Sequence, residues 1–102
     1  MITRIVRMEF QPHQLPTFRN IFDQSKASIR AFPGCHHLEL HQDPHAAHIL
    51  YTYSLWESEV ALDQYRKSEL FGKVWPKTKA LFAAKPIAYS LHLLETVVAS
   101  KD

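Results

Sequence analysis

The stretch AHILYTYSLW at residues 47–56 decides the fold. Its aromatic and β-branched residues predict a strand, and large apolar side chains stand at both alternating sets of positions. A strand with one face in water should instead alternate apolar with polar residues. The stretch therefore predicts a sheet whose two faces are both covered.

Upstream of this strand, the sequence predicts a hairpin, a helix and a further strand. Cys35 to Gln42 predict the first arm of the hairpin, and residues 42–45 (QDPH) carry turn residues. Pro33-Gly34 ends a helix that apolar residues at three- and four-residue spacing predict over about residues 14–31. Residues Ile2 to Phe10 alternate in character and predict the first strand.

Downstream, Ser58 is a predicted N-cap for a second helix. One face of that helix carries Ala61, Tyr65, Ser68, Phe71 or Gly72, and Trp75. Pro76 is expected to break or kink it, and a short helical piece with Leu81 and Phe82 is expected to follow. Residues Pro86 to Val98 predict the last strand. The order βαββαβ predicts an α+β, ferredoxin-like fold: a four-stranded antiparallel sheet with the helices on one face.

The last strand repeats the two-sided apolar pattern, as IAYSLHLL at residues 87–94. The helices can cover only one face of the sheet, so the other face is expected to meet a second copy of the chain. The 102 residues suffice for a single domain, 1–102. The sequence thus predicts a homodimer formed through the sheet face.

Composition excludes several function classes. With 46% hydrophobic and 22% charged residues and a net charge of +2, the chain has a globular composition and no strong charge bias. Its two glycines form no phosphate-binding loop, and no apolar run approaches the ~20 residues of a membrane helix. The nearest thing to a basic patch, Lys73 to Lys85, comes without a nucleic-acid motif. One cysteine permits no intramolecular disulfide. We expect a cytoplasmic protein without nucleic-acid or membrane partners.

Three segments resemble the antibiotic biosynthesis monooxygenase family: FPGC at residues 32–35, YTYSLWES at 51–58 and YRKSELF at 65–71. The resemblance runs from Met1 to about Leu94. It implies a dimeric α/β barrel, with a pocket between the sheet and the helices of each subunit that is suited to a flat hydrophobic ligand.

The resemblance also implies a function, a cofactor-independent monooxygenase acting on a small aromatic or quinol-type metabolite. The haem-degrading branch of the family uses an asparagine, a tryptophan and a histidine, where this chain has Val6, Tyr65 and Trp75, so no cofactor is predicted. Tyr65 and Trp56 are the candidate catalytic residues. The predicted pocket residues are Val6, Met8, Phe22, Tyr51, Tyr53, Phe71 and Trp75. The alternatives are a non-catalytic dimeric ligand-binding or stress-response module, and a haem-degrading or isomerase-type relative.

Five histidines surround the hairpin: His36, His37, His41, His45 and His48. Alternation places His37, Glu39 and His41 on one face of the strand. These three residues are either a divalent-metal site or part of a polar, exposed hairpin. No metal signature of fixed spacing is present, so no metal is predicted.

Four other polar residues have both a structural and a functional interpretation. Cys35 is expected to be a buried structural thiol. The alternative is a nucleophilic cysteine whose pKa is lowered by the neighbouring histidines. His92 is expected in the core or an interface. Arg4 and Arg7 lie on opposite faces of the first strand, and one is expected to pair with Glu39 or Glu9 rather than to bind an anionic substrate.

Overall fold

The computed structural model describes residues 1–100. It contains one antiparallel sheet of four strands in the order β2-β3-β1-β4, packed against three helices. The strands are β1 (Ile2–Glu9), β2 (Cys35–Gln42), β3 (Ile49–Trp56) and β4 (Ile87–His92), and the helices are α1 (Leu15–Arg30), α2 (Glu59–Arg66) and α3 (Glu69–Lys79). The predicted α+β, ferredoxin-like fold is confirmed. Lys101 and Asp102, at the end of the predicted 1–102 domain, lie outside the described residues.

The core lies between the helices and one face of the sheet, which we call the inner face. In β1 and β3 the even-numbered residues occupy it, because side chains alternate along a strand. The core has two clusters. One consists of Ile2, Cys35, Trp56, Ala61 and Leu62, and the other of Met8, Phe10, Phe18, Leu50 and Leu81.

The helical segment after β3 differs from the prediction in one respect. Ser58 caps α2, accepting a hydrogen bond from the Ala61 amide as predicted. The expected continuous helix, however, is divided at Ser68. The Ser68 hydroxyl accepts from the Phe71 amide at 3.2 Å and donates to the Tyr65 carbonyl at 2.6 Å. One side chain therefore both ends α2 and begins α3.

Of the break or kink expected at Pro76, the break is wrong. Pro76 lies inside α3, which continues to Lys79, because a proline removes a single backbone donor and the Ala80 amide still bonds to the Pro76 carbonyl. The short helical piece expected at Leu81 and Phe82 is also absent. Leu81 lies in a turn, and Phe82 forms an isolated bridge with Phe10.

The last strand is shorter than predicted. It ends at His92 rather than Val98, since β1 offers no partner beyond the Ile2–His92 pair. Residues 93–100 form no regular element and are exposed. No helix among residues 1–100 has the length and apolar character needed to cross a bilayer.

The sheet face opposite the helices, called the outer face here, carries apolar side chains in cross-strand rows. Tyr89 of β4, Ile5 of β1 and Tyr53 of β3 stand side by side, and Glu39 of β2 ends the row. The neighbouring rows contain Leu91, Thr3 and Leu55, and Ile87, Arg7 and Tyr51. On β4 these residues are strongly exposed, Tyr89 by 51%. Within residues 1–100, no helix packs on this face.

Candidate functional site

A cavity of about 240 Å³ lies between the inner face of the sheet and the helices. Its walls are mostly apolar and aromatic, with hydroxyl and guanidinium groups at a few positions. The lining residues are Arg4, Val6, Met8, Phe18, Phe22, Ile29, Leu38, Thr52, Ser54, Trp56, Leu62, Tyr65, Arg66, Phe71, Val74, Trp75, Thr78, Pro86 and Ala88. An apolar cleft with a few polar groups is the usual form of a small-molecule site.

One wall is a continuous series of aromatic rings. Tyr65 stacks on Trp56 with ring centroids 4.8 Å apart and planes 25° apart, and the edge of Phe71 meets Tyr65 at 5.3 Å. Phe71 in turn stacks on Trp75 at 5.6 Å. Tyr65 lies near the end of α2, while Phe71 and Trp75 lie one turn apart on α3. The division at Ser68 thus joins aromatic rings of two helices in one wall, suited to stacking a planar ligand.

Tyr65 contributes the one hydroxyl group of this wall. Burial, with a smaller contribution from Cys35, raises the pKa of Tyr65 to about 12. Desolvation disfavours the phenolate, so at neutral pH Tyr65 keeps its proton. Its hydroxyl is therefore equipped to donate a hydrogen bond to a ligand oxygen, and not to act as a base.

Trp56 presents its ring to the cavity, whereas its polar atom is engaged elsewhere. The indole Nε1 donates to the Ser54 Oγ at 3.0 Å, and that hydroxyl is 3.5 Å from the Arg4 carbonyl oxygen. The side chain is 1% exposed. Trp56 is thus equipped for packing and stacking rather than for hydrogen bonding to a ligand.

The predicted pocket residues divide between the two faces of the sheet. Val6, Met8, Phe22, Phe71 and Trp75 line the cavity together with Tyr65 and Trp56. Tyr51 and Tyr53 do not line it, which corrects their predicted placement. The register places the even-numbered residues of β3 toward the helices, so Thr52 and Ser54 face the cavity while the two tyrosines lie on the outer face.

The polar lining residues absent from the prediction are Arg4, Thr52, Ser54, Arg66 and Thr78. The alternation of β1 contained the signal for Arg4, because Arg4 shares a face with Val6 and Met8. Arg7, on the other face, pairs with Glu9 at 3.4 Å, which confirms that one of the two arginines binds a nearby carboxylate.

Two of the histidines of β2 form a hydrogen-bonded group with Glu39 on the outer face. His37 and His41 each place Nε2 2.6 Å from a different oxygen of Glu39. These bonds, the one from His37 foremost, lower the pKa of the Glu39 carboxyl. His48 lies instead 4.0 Å from Glu9. Among residues 1–100, no three histidine, cysteine or acidic side chains are placed to hold a metal ion.

Two other predicted candidates have structural surroundings. Cys35 is buried, and burial raises the pKa of its thiol, so the neighbouring histidines do not make it a thiolate nucleophile. His92 is exposed, 3.8 Å from Glu59. The expectation of a core position for His92 is wrong, because His92 is the exposed last residue of β4, and an interface position stays a prediction.

Comparison with known proteins supports one family. The sequence model described as antibiotic biosynthesis monooxygenase matches residues 1–75. A crystal structure of an antibiotic biosynthesis monooxygenase is similar over 93% of this chain and 100% of its own, with a TM-score of 0.87 and 17% identity. No curated protein matches the sequence significantly.

Two further solved structures share the fold. The Rv0793 protein of Mycobacterium tuberculosis is 21% identical, with a TM-score of 0.86 over 95% of this chain and 98% of its own. The PA3566 protein of Pseudomonas aeruginosa is 26% identical, with a TM-score of 0.81 over 92% of this chain and 94% of its own. With the family match over most of the sequence, these findings confirm the resemblance: the chain belongs to the antibiotic biosynthesis monooxygenase family.

Proposed function

We propose that the protein is a cofactor-independent monooxygenase that oxidises a small aromatic or quinol-type metabolite in the cavity between sheet and helices. Family membership supports a monooxygenase-like role. The observation that carries the proposal is the aromatic wall of Trp56, Tyr65, Phe71 and Trp75. This wall is suited to hold a flat ring, and Tyr65, which keeps its proton at neutral pH, is one of its residues.

The chemistry draws its electrons from the substrate. A quinol reacting with O₂ forms one new carbon–oxygen bond with one oxygen atom, and the other atom leaves as water with two hydrogens of the substrate. The quinol supplies all the electrons and becomes a hydroxyquinone, so atoms and electrons balance without another reductant. In this scheme the aromatic wall orients the ring and excludes water, and Tyr65 donates a hydrogen bond to the substrate oxygen on which negative charge develops.

The experiment is oxygen uptake by the purified protein with a panel of hydroquinones and anthrone-like phenols. Tyr65→Phe is expected to lower kcat about 10²-fold, since it removes a donor aimed at developing charge. Tyr53→Phe is the matched control: it removes a tyrosine hydroxyl from the outer face, away from the cavity, and should leave kcat unchanged. Equal losses in the two variants would contradict the role of Tyr65. Tight binding of planar ligands without oxygen uptake would favour the non-catalytic binding module.

We also propose that two copies of the chain form a homodimer through their outer faces. The support is the apolar row of Tyr89, Ile5 and Tyr53 and its neighbours, exposed on β4. An exposed surface rich in large apolar side chains is typical of an interface. A two-fold arrangement would place the same face on both sides of the contact.

Tyr89→Arg is expected to convert the dimer to a monomer, because two guanidinium groups would enter an apolar contact without partners. Sedimentation should give the wild type a mass twice the 11.9 kDa of one chain. The variant should have the mass of one chain. Val60→Arg is the matched control, since Val60 is 65% exposed on α2, and it should remain dimeric. A monomeric wild type at micromolar concentration would refute the proposed dimer.

We further propose a cytoplasmic location. Cys35, the one cysteine of the chain, is a buried free thiol. A free thiol of this kind fits a reducing compartment.

A further inference from the structure

We infer that the cavity binds an aromatic ligand carrying a negatively charged oxygen, a phenolate or a carboxylate, and that Arg4 is the group that binds this oxygen, with Arg66 beside it. The inference rests on the proposed function in one respect, that the same cavity holds an aromatic ligand. The new elements are that the ligand is negatively charged and that Arg4 selects ligands with this charge.

Arg4 is placed on the inner face by the register of the sheet. It lies between Ser54 of β3 and Ser90 of β4, and its Nη1 donates to the Ser90 Oγ at 2.8 Å. Arg4 and Ser54 both line the cavity. The guanidinium is therefore positioned by a neighbouring strand, and it has further N–H donors available to a ligand.

Arg4 has no carboxylate partner among residues 1–100, since none of their ion pairs includes it. Arg7, on the same strand, differs in this respect because it pairs with Glu9 at 3.4 Å. The nearest acidic influence on Arg4 is Asp63, and Asp63 is itself 3.9 Å from Arg66. Among residues 1–100, the positive charge of Arg4 is thus countered at a distance by Asp63 and not by a paired carboxylate.

The electrostatic surroundings of Arg4 favour a bound anion. Partial burial lowers the pKa of Arg4, and the positive charge of Arg66 lowers it further, while Asp63 acts in the opposite direction. Two cations thus face one region of a cavity whose other walls are largely apolar. A desolvated cation without a counter-ion costs free energy, and a bound anion would recover it.

The aromatic wall and the cations define a ligand of two parts. A planar ring would lie against Tyr65 and Trp75, and its charged oxygen would reach Arg4. The guanidinium fork matches a carboxylate bidentately and strengthens hydrogen bonds to any anionic oxygen. For a phenolic substrate, Arg4 would favour the phenolate over the phenol, and the phenolate is the more electron-rich form for reaction with O₂.

The test compares 2-naphthoate with 2-naphthamide, which has the same ring system without the charge, by calorimetry at pH 7.5. The wild type is expected to bind the acid about 10- to 100-fold more tightly, the range of a charge-assisted hydrogen bond. Arg4→Gln should abolish this preference and leave the affinity for the amide unchanged. Arg7→Gln, on the other face of β1, should behave as the wild type, and Arg4→Lys should keep part of the preference because it keeps the charge.

A second measurement separates the two kinds of anion. In an absorbance titration, bound 2-naphthol should ionise at lower pH in the wild type than in Arg4→Gln if the site stabilises a phenolate. If only naphthoate is discriminated, the site is one for carboxylates. Far-ultraviolet circular dichroism spectra of Arg4→Gln and Arg7→Gln should match that of the wild type, which excludes a folding defect as the cause.

The outcomes distinguish this inference from the proposed function. Equal binding of acid and amide by the wild type would refute the anion site and leave the aromatic cavity intact. Equal effects of Arg4→Gln and Arg7→Gln would refute the role of Arg4. If neither naphthalene probe binds, the aromatic cavity and the proposed function are wrong as well.

Discussion

Trp56→Ala is expected to lower the free energy of unfolding by about 3–5 kcal/mol, the range for removing a large aromatic side chain from a core. Trp56 is 1% exposed and belongs to the cluster around Ile2 and Leu62. Its ring stacks on Tyr65 at 4.8 Å. The truncation would also leave the Ser54 hydroxyl without its indole donor, so packing and hydrogen bonding would be lost together.

Urea unfolding monitored by circular dichroism measures this loss. Trp75→Ala is the matched comparison, because Trp75 also lines the cavity but is only partly buried, and its loss should be smaller. Trp56→Phe should restore part of the stability, since it retains a ring but not the indole N–H. Equal losses for Trp56→Ala and Trp75→Ala would show that Trp56 is not a main element of the core.

Gly34→Ala is the second substitution expected to have a large effect, a loss of about 2–4 kcal/mol in the free energy of unfolding. Gly34 has a φ of +89°, a conformation that residues with a Cβ rarely adopt. A Cβ built there would lie 2.5 Å from the Cβ of Ala61 on α2. Backbone strain and a steric overlap would therefore act at the same position.

Gly72→Ala is the matched control, and its expected effect has the opposite sign. Gly72 lies within α3, and a Cβ there would meet nothing within 4 Å. Alanine is expected to raise the free energy of unfolding by about 0.5–1 kcal/mol, because glycine is the poorer helix former. Adding Ala61→Gly to Gly34→Ala should relieve the overlap but not the strain. A neutral Gly34→Ala would show that the turn accommodates a side chain.

Much of the fold could be predicted from local patterns. Alternation identified β1, and turn residues at 42–45 identified the hairpin. Pro33-Gly34 marked the end of α1, and Ser58 marked the start of α2. These features depend on neighbours in sequence, so a single sequence contains enough information to find them.

The remaining features depend on tertiary contacts. In β3 both alternating sets carry large side chains, so hydrophobicity did not decide whether Tyr51 and Tyr53 or Thr52 and Ser54 face the cavity. The division of the second helix at Ser68 was missed, because a serine in a helical pattern is no strong stop signal. The end of β4 at His92 is determined by the length of β1, and the apolar run to Val98 gave no indication of it.

The first and last strands of the chain are neighbours in the sheet, with Ile2 opposite His92. β1 leaves the ribosome before β3 and β4, pairs with β3 once that strand has emerged, and gains its second neighbour only after β4 has followed. Contacts between residues so distant in sequence are slow to form. Until then one edge of β1 stays open to pairing with other chains. The interval before β4 arrives is therefore the period in which a nascent chain is most vulnerable to misassembly.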